Sequence, residues 1–153
     1  MIACTPSIAD FLELSRGGNL VPVFREILAD TETPVSAFLK TARGEHAFLL
    51  ESVVGGDKWG RYSFLGSEPA AIFTSRGTTV SLQEHGHAPR SFTAADPLEA
   101  LRELLAGYHP VPVAGLPRFF GGAVGYVAYD AVRFFERLPA TLPDPLGLPE
   151  LYF

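Results

Sequence analysis

The sequence predicts an α+β fold in which a few short amphipathic helices pack against a largely antiparallel sheet. Hydrophobic residues make up 47% of the 153 residues and charged residues only 19%, a composition that can form a core. Short β-rich runs follow one another between turns that contain glycine or proline, which is typical of antiparallel strands. A capping residue followed by proline marks three helix starts, so helices interrupt the sheet at defined points.

The three helices are predicted from these starts and from the apolar spacing behind them. The starts are Thr5-Pro6, Thr33-Pro34 and Asp96-Pro97. Proline at the first helical position lacks only an N–H that the helix would leave unpaired, and its φ angle already suits a helix. Apolar residues then recur at helical spacing, and Glu99 gives the third helix a capping-box-like start. We therefore expect three short helices, each with one apolar face.

The predicted strands come mainly from the middle of the chain. The runs are residues 47–50, 62–65, 70–74 and 79–83. The last three lie close together with short turns between them, which predicts an antiparallel meander. Residues 84–95 are polar and lack a sustained period, so we interpret them as a hairpin loop and linker.

Two further segments complete the predicted architecture. Residues 119–129 are apolar, small and aromatic, and we interpret them as a buried strand whose glycines let another backbone or a bulky side chain approach closely. Residues 138–149 contain too many prolines for a regular element and predict a connector. The apolar end, Leu151 to Phe153, fits either a strand that docks into the sheet or a chain cut within a larger protein.

Charge and cysteine content exclude several classes of protein. There are 12 Lys and Arg residues against 17 Asp and Glu residues, a net charge of −5. No basic cluster is present to attract nucleic acid or an anionic membrane surface. The single cysteine, Cys4, cannot form an internal disulfide, and no segment resembles a signal peptide or a membrane span. We expect a cytoplasmic protein whose partners are small molecules or other proteins.

One polar cluster stands out in this apolar sequence and is the candidate binding site. Its residues are Glu51, Ser52, Lys58, Arg61, Tyr62 and Ser63. Both charge signs and several hydroxyl groups lie at the two ends of one strand-turn-strand segment. A zwitterion such as an amino acid would find there a carboxylate for its ammonium group and basic or hydroxyl groups for its carboxylate. Ion pairs across a hairpin explain the same pattern, and spacing alone leaves both interpretations open.

Other motifs in this sequence do not indicate a nucleotide-binding, metal or catalytic site. The glycines of 121–125 fit neither a dinucleotide-binding nor a P-loop pattern. His85 and His87 lack cysteine or carboxylate neighbours at metal-ligand spacing. No serine lies in a nucleophile elbow, and no paired carboxylates appear. We therefore predict no catalytic residue and no metal ligand in this chain.

Three stretches together resemble a known family. They are residues 28–40 (LADTETPVSAFLK), residues 48–53 (FLLESV) with residues 60–66 (GRYSFLG), and the glycines 121, 122 and 125 with the Tyr-Asp pair at 129–130. In order and approximate spacing they resemble the N-terminal domain of anthranilate synthase component I, the large subunit of the first enzyme of tryptophan biosynthesis. The resemblance runs from about residue 10 to Phe153.

The resemblance implies an enzyme whose catalytic domain lies downstream. The family converts chorismate and ammonia to anthranilate and pyruvate, and a glutamine amidotransferase subunit (component II) supplies the ammonia from glutamine. Mg²⁺ and its acidic ligands belong to the downstream domain, so this chain is expected to be inactive alone and to end before that domain. The implied organisation is an N-terminal helix in 1–18, a regulatory domain in 19–138 and a proline-rich connector in 139–153.

The resemblance also implies a site for L-tryptophan as a feedback inhibitor. The family uses its Leu-Glu-Ser segment, which Leu50, Glu51 and Ser52 match, with a basic residue that follows it. Lys58 or Arg61 would be that residue, and Tyr62 and Ser63 complete the expected set. Glu51 would bind the ligand ammonium group, Ser52 would donate or accept a hydrogen bond, and the basic residue would bind the carboxylate.

Three alternatives remain at this point. Aminodeoxychorismate synthase component I of folate biosynthesis shares the architecture and a tryptophan site. A stand-alone amino-acid-binding module would also lack catalytic residues. In a third interpretation the domain mainly docks the amidotransferase partner, which exposed apolar residues would favour.

Overall fold

A computed structural model describes residues 4–51, 62–139 and 143–153. The helices are α1 (Ile8–Leu14), α2 (Pro34–Thr41) and α3 (Pro97–Ala106), with a 3₁₀ helix at Tyr129–Phe134. The strands are β1 (Ala47–Leu50), β2 (Phe64–Ser67), β3 (Ala71–Arg76), β4 (Thr79–Glu84), β5 (Arg90–Thr93), β6 (Tyr126–Val127) and β7 (Leu151–Tyr152). Short helices and antiparallel strands confirm the predicted α+β class.

Local signals set the starts of α2 and α3 as the sequence predicts. The Thr33 hydroxyl accepts a hydrogen bond from the Ser36 backbone N–H at 3.0 Å. Asp96 Oδ1 accepts one from the Leu98 N–H at 2.9 Å. Each bond satisfies a donor that the first helical turn would otherwise leave unpaired.

The start of α1 differs from the prediction. Its N-cap is Ser7 rather than Thr5, and the Ser7 hydroxyl accepts a hydrogen bond from the Asp10 N–H at 3.2 Å. Pro6 therefore lies before the cap instead of at the first helical position. The helix forms where predicted, but a different side chain begins it.

The strands form two sheets. One pairs β1 with β2, and the other has the order β5-β4-β3-β7-β6. β7 lies between β3 and β6 and is antiparallel to both, so Leu151 has Ser75 on one side and Val127 on the other. Leu151 is fully buried at this position, which agrees with the prediction of a terminal strand that docks into a sheet.

Three predictions of strand arrangement are wrong. β2 pairs with β1 and belongs to a different sheet from β3, so no three-stranded meander runs from residue 62 to residue 83. Part of the predicted loop at 84–95 is β5, an edge strand. Within 119–129 only Tyr126 and Val127 are strand, and both are exposed. The close backbone approach predicted there does occur, at Gly125 against Tyr152.

Packing divides the chain into two units. The first comprises Met1–Ile27, Phe73–Ser81 and Ser91–Phe153, and the second comprises Leu28–Ile72 and Leu82–Arg90. The core of the first unit is a small apolar cluster: Phe73, Val80, Leu101, Val111, Ala131 and Leu151. In the second unit, α2 packs on the β1–β2 hairpin, and Ser67 Oγ donates a hydrogen bond to the Thr41 carbonyl at 3.2 Å.

Among the described residues, no helix has both the length and the apolar character needed to cross a bilayer.

Candidate functional site

The predicted binding cluster lies at the end of the β1–β2 hairpin where the chain connects the two strands. The register pairs Ala47 with Ser67 at one end and Leu50 with Phe64 at the other. Glu51 directly follows the last paired residue of β1, and Ser63 directly precedes the first paired residue of β2. The hairpin pairing therefore brings Leu50, Glu51 and Ser63 to one end of the element.

Apolar and polar groups are both accessible at this end of the hairpin. The exposed fractions of Leu50 and Tyr62 are 49% and 53%, and Glu51 and Ser63 are also exposed. The Tyr62 ring stacks on the Phe64 ring with centroids 6.1 Å apart and an interplanar angle of 29°. Offset aromatic stacking of this kind restricts ring orientation. The site thus offers an aliphatic side chain, an oriented aromatic ring, a carboxylate and a hydroxyl.

Three of the predicted ligand residues lie outside the described residues: Ser52, Lys58 and Arg61. Within the described part of the chain, Glu51 forms no ion pair, and Lys58 and Arg61 are the predicted partners on either interpretation. The structure therefore brings together the predicted residues that it describes, while the choice between ligand binding and internal ion pairing remains a prediction.

The α2 helix that supports this hairpin begins at a network around Glu32. Ser36 Oγ donates a hydrogen bond to Glu32 Oε2 at 2.6 Å, and the Lys40 ammonium group pairs with Glu32 Oε1. The hydrogen bond from Lys40 and then the one from Ser36 lower the pKa of Glu32 below its ordinary value of 4.5. Lost hydration opposes this shift, and the Lys40 charge is the smallest of the effects that lower the pKa. The Glu32 carboxylate is therefore bonded to two residues of α2.

A second polar region, which the sequence analysis does not single out, lies on the larger sheet. We call it the β3–β4 cavity, and it measures about 330 Å³. A two-residue turn joins β3 to β4, which sets Arg76 opposite Thr79 and Thr74 opposite Ser81. Side chains two positions apart on a strand share a face, so these four polar residues lie on one face. In β4, Thr79 and Ser81 alternate with the apolar residues Val80 and Leu82, whereas β3 shows no such alternation.

Metal ligands do not gather in the part of the chain that is described. No three His, Cys, Asp or Glu side chains come together there. His87 Nδ1 lies 3.2 Å from the His85 carbonyl oxygen, which is a local turn contact.

The chain is similar to known proteins over nearly all of its length. No family model matches it. Anthranilate synthase component 1 of Pseudomonas aeruginosa is 44% identical over 145 residues, which cover 93% of this chain and 30% of that protein. The proteins of the same name from Aquifex aeolicus and Acetivibrio thermocellus are 40% and 36% identical over 95% and 97% of this chain. The chain thus spans about 30% of the length of these curated relatives.

Proposed function

The chain is a homologue of part of anthranilate synthase component 1, and we propose from this relationship that it is the regulatory domain of a chorismate-utilising enzyme of tryptophan biosynthesis. The enzyme would convert chorismate and ammonia to anthranilate and pyruvate. The name "component 1" supports a second component, which we propose is a glutamine amidotransferase. We place the enzyme in the cytoplasm. In this proposal the chain itself performs no chemical step, and residues outside it hold Mg²⁺.

The proposed role of the chain is to bind L-tryptophan at the end of the β1–β2 hairpin where the chain connects the two strands. The observation that supports it most is the exposure of Leu50 and Tyr62 beside Glu51. Tryptophan needs apolar contact area for its indole ring next to a group that binds its ammonium. Glu51 would bind the ammonium group and Ser63 would face the polar end of the ligand. Ser52 and one of Lys58 and Arg61 would bind the carboxylate.

Binding at this hairpin regulates catalysis only under one condition. A ligand shifts an equilibrium between two conformations in proportion to the difference between its affinities for them. Tryptophan must therefore bind more tightly to an inactive arrangement of the enzyme than to the active one. By linkage, saturation with chorismate must weaken tryptophan binding by the same factor that tryptophan weakens chorismate binding.

A chimeric enzyme tests both parts of the proposal. This chain replaces the matching 30% of the Pseudomonas aeruginosa relative, and anthranilate formation is measured against L-tryptophan concentration. We expect an active chimera that L-tryptophan inhibits and L-phenylalanine does not. Chimeras that fold but form no anthranilate in the presence of ammonia contradict the role in this enzyme.

Variants of the same chimera test the site. Glu51→Ala and Ser52→Ala should each raise the inhibitory concentration of tryptophan about 10-fold or more, because a hydrogen bond to a charged group is worth about 1.5–3 kcal/mol. Turnover without tryptophan should be unchanged. Glu45→Ala, an exposed glutamate near the opposite end of β1, is the matched control. Unchanged inhibition in both site variants removes these residues from the site while leaving the enzymatic role intact.

A further inference from the structure

The β3–β4 cavity lies in the first unit, and its lining carries a single charged residue. Arg76 and four hydroxyl residues, Thr74, Ser75, Thr79 and Ser81, contribute from the two strands, and Gly147 and Pro149 approach from the segment before β7. Guanidinium and hydroxyl groups all donate hydrogen bonds. The exposed lining is mostly carbon, and these donors are the groups in it that can bind an oxyanion. Its volume of about 330 Å³ is at the lower end of the range for small-molecule sites.

The guanidinium of Arg76 lies against Gly147. A Cβ at position 147 would be 2.6 Å from Arg76 Nη2, so a side chain there would displace the end of this flexible residue. Gly147 also has φ +60°, which other residues adopt at a cost. The guanidinium is therefore packed against the main chain at one edge of the cavity.

Asp144 is an internal counter-ion that holds Arg76 only weakly. Its Oδ2 lies 3.5 Å from Arg76 Nη2, longer than the 2.7–2.9 Å of a strong charge-assisted hydrogen bond. The side chains are 55% and 65% exposed, and exposed pairs of this kind contribute little stability. Asp144 Oδ1 meanwhile accepts a hydrogen bond from the Gly147 N–H at 2.9 Å, so the backbone fixes this carboxylate independently of Arg76. An external oxyanion that binds Arg76 would thus displace a weak contact.

We propose that the β3–β4 cavity binds a small oxyanion, either a phosphate or the carboxylate of an organic acid. Arg76 supplies the charge and Thr74, Thr79 and Ser81 supply hydrogen bonds. Asp144 competes with the ligand for the guanidinium and sets the affinity. The binding step involves no covalent change, and it is separate from the hairpin site proposed for tryptophan.

Calorimetric titration of the chain with inorganic phosphate and with acetate, at low ionic strength, tests the proposal. We expect saturable binding of at least one anion. Arg76→Gln should weaken it at least 10-fold, whereas Asp144→Asn should tighten it several-fold because it removes the competing charge. Ser81→Ala should weaken it about 2- to 5-fold. Substitutions of the two members of one ion pair thus change the anion affinity in opposite directions. A contact with a purely structural role would not produce this pattern.

The ion pair between Arg90 and Glu84 provides matched controls. Its atoms are 3.7 Å apart and both side chains are partly exposed. Arg90→Gln and Glu84→Gln should leave anion affinity within 2-fold of the unmodified chain, and far-ultraviolet circular dichroism confirms that every variant folds. The proposal is overturned if neither anion binds saturably, if Asp144→Asn does not tighten binding, or if Arg90→Gln weakens it as much as Arg76→Gln.

Discussion

The backbone of Gly125 lies directly against the backbone of Tyr152, with no space between them for a side chain. A Cβ placed on Gly125 would overlap the Tyr152 carbonyl oxygen and lie 2.7 Å from the Cα of Phe153. The contact occurs just before β6, where the Tyr126 ring stacks on the Tyr152 ring with centroids 5.7 Å apart. Glycine at 125 therefore permits β6 to pair with β7.

We predict that Gly125→Ala destabilises the chain by at least ~2 kcal/mol, because the obstructing atoms belong to backbone that cannot move without disrupting β7. Urea unfolding measures the change. Gly121→Ala is the matched control, since a Cβ at position 121 meets nothing within 4 Å. It should change stability by no more than ~1 kcal/mol. Equal effects of the two substitutions would mean that Gly125 is not the constraint.

The features that sequence predicts best are those determined by neighbours along the chain. The starts of α2 and α3 follow from Thr33 and Asp96, whose side chains bond to backbone within three residues. The candidate hairpin site is also local, because β1 and β2 are close in sequence and their pairing alone brings Glu51 near Ser63. Short-range chemistry of this kind can be predicted from residue type and spacing.

The features that sequence analysis misses depend on distant partners. All four residues of β5 are exposed, so no apolar alternation marks the strand, and only its place beside β4 reveals it. The β3–β4 cavity requires Gly147 to lie against Arg76, a relationship that neither segment signals alone. Pairing over long sequence distances is set by the folded sheet as a whole, and strand propensity correspondingly depends on context.

Asn19 joins two distant segments of the first unit. Its Nδ2 donates a hydrogen bond to the Gly107 carbonyl at 2.7 Å, and its Oδ1 accepts one from the His109 N–H at 2.6 Å. We predict that Asn19→Ala lowers the free energy of unfolding by ~1–3 kcal/mol, since two backbone groups lose their partners. Urea unfolding measures the loss.

Asn19→Asp tests the contributions of the two hydrogen bonds separately. Aspartate still accepts from the His109 N–H, but it places an oxygen against the Gly107 carbonyl oxygen where Asn19 has a donor. We therefore expect it to remain destabilising, whereas Gln83→Ala, which removes an exposed amide on β4, should change stability by less than ~0.5 kcal/mol. Full stability of Asn19→Asp would show that the Gly107 bond contributes nothing.

Glu32 should give the start of α2 a defined pH dependence. The folded pKa of this carboxyl lies below its unfolded value of about 4.5, chiefly because Lys40 and Ser36 donate hydrogen bonds to it. A lowered folded pKa means that the stabilising contribution is complete above the unfolded value and is lost as the pH falls through the folded pKa. NMR titration of the Glu32 side chain measures this midpoint.

Two substitutions check the cause of that shift. Lys40→Gln should raise the Glu32 pKa more than Ser36→Ala does, because the bond from Lys40 is the larger contribution and its charge acts in the same direction. Arg43→Gln removes a positive charge beyond the end of α2 and serves as the control for general charge effects. A larger response to Arg43→Gln than to Lys40→Gln would contradict the assignment.

The Ser75 hydroxyl is buried in the larger sheet and forms no hydrogen bond with the described residues. Ser75 is 2% exposed and faces the core from β3, opposite Leu151. A buried hydroxyl without a partner costs free energy, whereas loss of one oxygen leaves only a small void. We predict that Ser75→Ala leaves the free energy of unfolding unchanged or raises it by up to ~1 kcal/mol.

Ser67→Ala is the contrasting variant, because its hydroxyl bonds to the Thr41 carbonyl and its loss should be destabilising. A destabilisation of more than ~1 kcal/mol by Ser75→Ala would instead reveal a buried water or another group that satisfies this hydroxyl.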